Sequence, residues 1–103
     1  MNLRILDLAE ADLLAGFRFY ERRSSGVGWY FLDSLFAEIE SLNLYAGIHR
    51  KYLGYSRMLS RRFPYAVYYR IAGDEIQVCR ILDCRRDPRW IRTVIIVRCL
   101  LTR

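Results

Sequence analysis

Two stretches of helical periodicity, broken by Ser24-Ser25-Gly26-Val27-Gly28, set the strongest limit on what this chain can fold into. In the first, Ala9, Leu13, Phe17 and Tyr20 recur at helical spacing while Glu10, Arg18 and Arg22 fall outside the stripe. In the second, from about Gly28 to Leu44, Phe31, Leu35, Ile39 and Leu42 line up opposite Asp33, Glu38 and Glu40. Glycine accepts the left-handed backbone that a tight reversal needs. So short a joint predicts an antiparallel helical hairpin. Each helix still has apolar width to bury, so the hairpin needs a second layer.

The remaining sequence supplies strands for that layer. Asn2 to about Leu6 reads as a first strand, after which Asp7 and Glu10 have capping-box spacing for the first helix. Tyr45 to Gly54 reads as a loop. Three strands follow, at about Tyr55–Ser60, Phe63–Ile71 and Glu75–Leu82, rich in β-branched and aromatic residues. "AGDE" at 72–75 is a turn signal, and Pro64, which has no N–H for a ladder, fits a strand start. Asp87 and Pro88 open a short helix through Trp90. The run "TVIIVRCLLTR" is compatible with a longer helix, an edge strand or an exposed apolar patch. The fold class expected is α+β, in the order β-α-α-β-β-β. An antiparallel sheet is packed by the α-helical hairpin and followed by a short C-terminal helix or tail. One domain covers residues 1–103, with 93–103 a divergent tail.

Composition narrows the function. An apolar content of 53% in 103 residues excludes wholesale disorder and favours one small core. No run approaches the ~20 apolar residues of a membrane span and none resembles a signal peptide, so the expected location is the cytoplasm, with no membrane partner. Cys79, Cys84 and Cys99 lack Cys-x-x-Cys spacing, and His49 is the single histidine, so neither a disulfide framework, a metal site nor any other cofactor is expected. The cysteines read as buried thiols.

Charge is unevenly placed. Residues 1–49 hold four arginines against seven acids, while residues 50–103 hold thirteen basic residues against four acids. Sixteen of the seventeen cations are arginine, the side chain whose planar fork grips phosphate and carboxylate. An anionic partner follows, either nucleic acid or an acidic protein segment. Within "SRRFPYAVYYRI", alternation puts Tyr65, Val67, Tyr69 and Ile71 on one face and Ala66, Tyr68 and Arg70 on the other. One set packs under the hairpin and the other offers an amphipathic surface of phenol and guanidinium. In "CRRDPRW", Arg85, Arg86, Arg89 and Trp90 can hold an anion or stack on a base, or pair with Asp83 and Asp87 to fix the tail. The candidate binding set is therefore Arg57, Arg61, Arg62, Tyr65, Tyr68, Arg70, Arg85, Arg86, Arg89 and Trp90.

Three segments, "FYERRSSGVGWYFLDSL", "RRFPYAVYYRI" and "LDCRRDPRW", together resemble the RelE/ParE superfamily of bacterial type II toxins, in particular its ParE-like branch of plasmid stabilisation proteins. The resemblance runs from about Leu3 to Arg92. It implies a toxin neutralised by a cognate antitoxin that wraps the basic face, with operator DNA reached only through the antitoxin. ParE-type members bind DNA gyrase and stall it on DNA. RelE-type members cleave messenger RNA on the ribosome without a metal, and for that alternative Arg57, Arg62 and Arg85 are the catalytic candidates. Where the ribonucleases carry a catalytic arginine this chain has Tyr65, and near their C-terminal tyrosine it has Trp90 and Ile91. Arg85 matches their C-terminal arginine. His49 stands alone as a possible base. The residues thus favour a gyrase-binding toxin over an enzyme, with a degenerate, non-toxic antitoxin binder as a further alternative.

Overall fold

The computed structural model describes the backbone of residues 2–101 and the side chains of residues 2–96. Along the chain, β1 (Asn2–Ile5) leads into α1 (Asp7–Arg23), α2 (Val27–Glu40) and the one-turn α3 (Leu42–Tyr45). Then come β2 (Lys51–Tyr52), β3 (Tyr55–Leu59), β4 (Tyr65–Ala72), β5 (Glu75–Asp83) and α4 (Pro88–Leu101). The strands form one sheet in the order β1-β5-β4-β3-β2.

The antiparallel meander β3-β4-β5 is as expected, but β1 joins it parallel to β5, so the sheet is mixed. α1 and α2 carry the chain from β1 at one edge of the sheet to β2 at the other. The expected loop at 45–54 contains β2, which closes on β3 through a left-handed Leu53-Gly54 turn of the kind two-residue hairpins use. The expected capping box is absent. Leu6 is the N-cap residue of α1, no side chain caps it, and Asp7 and Glu10 act on the positive end of the helix through their charge. The hairpin joint is instead secured by Glu21, whose carboxylate accepts the N–H groups of Gly26 and Gly28 at 3.0 Å. Gly26 adopts φ 93°, and a Cβ on Gly28 would stand 2.6 Å from the Phe17 carbonyl oxygen, so both sites require glycine.

Two cores lie on opposite faces of the sheet. Under the hairpin, Leu13, Phe31, Leu35 and Ile39 pack on Tyr65, Val67, Tyr69 and Val78. On the reverse face, Ile91 and Ile95 of α4 pack on Tyr55, Ala66, Tyr68 and Leu82. The face expected to offer an open tyrosine-rich surface is therefore covered. The segment from Thr93 continues α4 rather than forming a strand, with Val94 and Ile95 packed on the reverse-face core. Residues 102–103 lie outside the described residues. Cys79 is buried as expected, whereas Cys84 is exposed. Among the described residues no helix is long and apolar enough to cross a membrane.

Candidate functional site

Three connections meet at one end of the molecule: the α1–α2 turn, the β3–β4 loop and the β5–α4 turn. Tyr65, first in β4 after Pro64, pairs with Asp83, last in β5. The Cys84 N–H donates to the Pro64 carbonyl at 2.7 Å, which ties the second loop to the third. Phe63 ties them to the hairpin, with ring centres 4.9 Å from Tyr20 and 5.5 Å from Tyr30. The result is a row of rings, Phe19, Tyr20, Phe63 and Tyr30, with guanidinium groups at both ends. Arg23 and Arg85 lie 4.5 and 5.8 Å from the Phe19 ring centre. Arg62 lies 5.6 Å from that of Tyr30 and donates to its hydroxyl at 2.9 Å. Each ring gives a cation a polarisable face while leaving its charge outward.

Electrostatics at this pole divide the arginines into two groups. Arg85 grips Asp83 with two nitrogens at 3.0 and 2.7 Å, and Arg89 contacts Asp87. The Arg85 hydrogen bonds hold Asp83 below the usual carboxylate range, and Asp83 in turn fixes Arg85 in its protonated form. Burial, reinforced by Asp83, pushes the Tyr65 phenol up to about 12, and burial raises Tyr20 against the opposing pull of Arg85. These phenols are therefore hydrogen-bond donors, not bases. In contrast, Arg22, Arg23, Arg61, Arg62 and Arg86 have no ion-pair partner among the described residues. Arg86 instead stacks 3.8 Å from the Trp90 ring centre. The pole keeps an unneutralised positive surface.

The structure gathers some of the sequence candidates and separates others. Arg61, Arg62, Arg85, Arg86, Arg89 and Trp90 belong to the pole. Tyr65 and Tyr68, 8% and 2% exposed, are core residues, one under the hairpin and the other under α4. Arg70 sits near the opposite end of β4, with Nε donating to Gln77 at 2.7 Å. Arg57 is on the α4 face, 5.7 Å from the Tyr52 ring centre and beside Tyr68. Arg62 and Arg85 rest instead on Tyr30 and Phe19 of the hairpin. The set Arg57, Arg62 and Arg85 thus does not converge on one reacting centre. His49 is engaged as well: Gly47 N–H donates to the Tyr69 oxygen, and the Tyr69 hydroxyl and His49 Nδ1 share a hydrogen bond at 2.5 Å. Burial lowers the His49 pKa and keeps it neutral.

Sequence reasoning missed Arg22, Arg23 and the ring row, although the two arginines stand directly before the glycine break. It also missed the buried pair Arg80 and Asp12, in which two nitrogens meet the carboxylate at 2.7 and 2.8 Å. Among the described residues no group of three or more His, Cys, Asp or Glu side chains is placed to hold a metal ion.

A family model described as the ParE toxin of the type II toxin-antitoxin system, parDE, matches residues 3–88. The chain belongs to this toxin family. A solved structure of the chromosomal ParDE TA system from P. aeruginosa contains a similar chain. The two share 26% identity and a TM-score of 0.73, over 79% of this chain and 92% of that one. No curated protein matches the sequence significantly. The match to the ParE family spans all three polar connections and ends at Pro88, the first residue of α4.

Proposed function

We propose that this ParE-family toxin arrests growth in the bacterial cytoplasm by docking its arginine pole on DNA gyrase, and that a cognate antitoxin neutralises it by covering the same end. The observation that carries this reading is the set of arginines without an ion pair among the described residues, Arg22, Arg23, Arg61, Arg62 and Arg86, at the end of the molecule that holds the aromatic row. Unpaired guanidinium groups beside rings form a typical anchor for a partner surface of opposite sign. Binding rather than cleavage is supported by chemistry: RNA cleavage through the 2′-hydroxyl needs a base poised near neutrality. Tyr65 is held at about 12, and Arg57, Arg62 and Arg85 rest on three different rings.

The test is purified toxin titrated into a gyrase supercoiling reaction, with and without the product of the adjoining reading frame. The expected result is inhibited supercoiling, relieved by that product, and induction of the DNA damage response in expressing cells. Full supercoiling at toxin excess defeats the gyrase target. Codon-phased cuts in translated messages would favour an endoribonuclease instead.

A further inference from the structure

The helical hairpin buries one side on the sheet and leaves an apolar strip on the other. Leu14 of α1 and Trp29 and Phe36 of α2 are 46%, 59% and 40% exposed, and neither core takes them in. Trp29 and Phe36 stand two turns apart and share a face of α2. The Trp29 ring centre lies 4.8 Å from that of Phe17, edge on, which joins this face to α1. Large apolar side chains gathered on one outward surface mark an interaction site more than scattered ones do.

Beside this strip, α1 carries a pattern that reads alike from either end. Asp7, Ala11, Leu14, Ala15, Arg18 and Arg22 are all exposed and share its outer face. Their spacing is symmetric about the peptide between Leu14 and Ala15, with an acid at one end and a base at the other. Asp7 and Arg22 stand equally far from that midpoint, about 11 Å at the rise of an α-helix. Neither they nor Arg18 has an ion pair among the described residues, and Arg22 Nε rests on the Arg18 carbonyl at 3.2 Å. The helix dipole accounts for an acid at the start of α1 and bases at its end. It gives no reason for exposed leucine, tryptophan and phenylalanine on the same side of the hairpin.

We propose that a second copy of this chain covers the strip: two hairpins meet about a two-fold axis at Leu14 and Ala15, with α1 antiparallel to its counterpart. A two-fold contact needs a surface complementary to itself. Turned end for end, α1 meets that condition, because Asp7 then stands level with the partner's Arg22 at both ends of the contact. Ala11 and Ala15 let the backbones approach to the separation of closely packed helices. Trp29 and Phe36 flank the axis and lose water when the hairpins close. The face is two helices wide and about 21 Å long over α2, the size of weak, reversible interfaces, so a micromolar dimer is expected. Of the pole arginines it takes up Arg22 alone.

Sedimentation velocity of the purified full chain, from micromolar to submillimolar concentration, reads the dimer directly. Asp7→Arg and Arg22→Asp each set like charges together at both ends of the contact. Each is expected to weaken self-association at least tenfold with an unchanged circular dichroism spectrum. An equimolar mixture of the two variants restores opposite charges at both ends and is expected to recover the dimer, as the antiparallel two-fold contact requires. Leu14→Glu places a charge on the axis and is expected to be monomeric. A native chain that stays monomeric overturns the proposal, even where the product of the adjoining reading frame covers the strip instead. So does a dimer that these three substitutions leave intact, and so does a mixture no tighter than either charge variant alone. Should a charge variant fail to fold, Leu14→Glu against the native chain decides.

Discussion

Asp12 shows how much one carboxylate does in this fold. β1 pairs with β5 only as far as Val78, so beyond it the β5 edge is open. Asp12 seals that edge, accepting the Ile81 N–H at 2.9 Å and hydrogen bonds from Nε and Nη2 of Arg80. Arg80 is 9% exposed, so Asp12 is the counter-charge of a largely buried cation. Asp12→Ala leaves a buried cation and a buried N–H unmatched and is expected to cost about 3 kcal/mol, measured by urea unfolding. Tyr65 makes a different prediction. Its folded pKa of about 12 exceeds the ordinary 10.0, so the native state holds the proton more firmly. Its contribution to stability is fully present below pH 10 and is lost as pH rises from 10 toward 12. Urea midpoints at pH 8 and pH 11 should therefore diverge, and Tyr65→Phe should narrow the gap. Tyr20 and Tyr68, raised in the same direction, account for part of the remainder.

At the scale of elements, the hairpin depends on close approach at its joint. Gly28→Ala drives a methyl into the Phe17 carbonyl and the Glu21 side chain that caps α2. A loss of about 2 kcal/mol is expected in thermal or urea unfolding. α4 depends on Ile95, which is 1% exposed, and Ile95→Ala is expected to cost about 3 kcal/mol by the same measurement. These elements also show what was legible in advance. The stripes from Ala9 to Tyr20 and from Phe31 to Leu42 revealed the hairpin, because helical periodicity is local. Alternation sorted Tyr65 and Tyr68 onto opposite faces correctly. It carried no information on whether a second layer covered the reverse face. The run from Thr93 is rich in β-branched residues, which weakens any helical reading from propensity alone, and only the apolar surface of the sheet decides it. The register shift in the β4–β5 ladder between Tyr68 and Tyr69, and the bond between Asp12 and Arg80, depend on pairings far apart in the chain.

For the whole molecule the relevant quantity is the distribution of charge. With Arg80, Arg85 and Arg89 paired to acids, Arg22, Arg23, Arg61, Arg62 and Arg86 are the cations of this pole without an ion pair among the described residues. Their substitution is expected to spare the fold and slow association. A variant with Arg22, Arg23 and Arg86 changed to Glu should keep its unfolding midpoint within the range of surface substitutions. Its association rate with gyrase or antitoxin, measured by surface plasmon resonance, should fall at least tenfold and lose most of its salt dependence.

The parallel pairing of β1 with β5 has a consequence for the order of events at the ribosome. Asn2–Ile5 is synthesised well before its partners, Glu75–Val78. Until then β1 has no ladder to join, and the loop that must close spans most of the domain. The sheet therefore closes only once β5 has been synthesised, and every earlier stage of translation carries an open ladder.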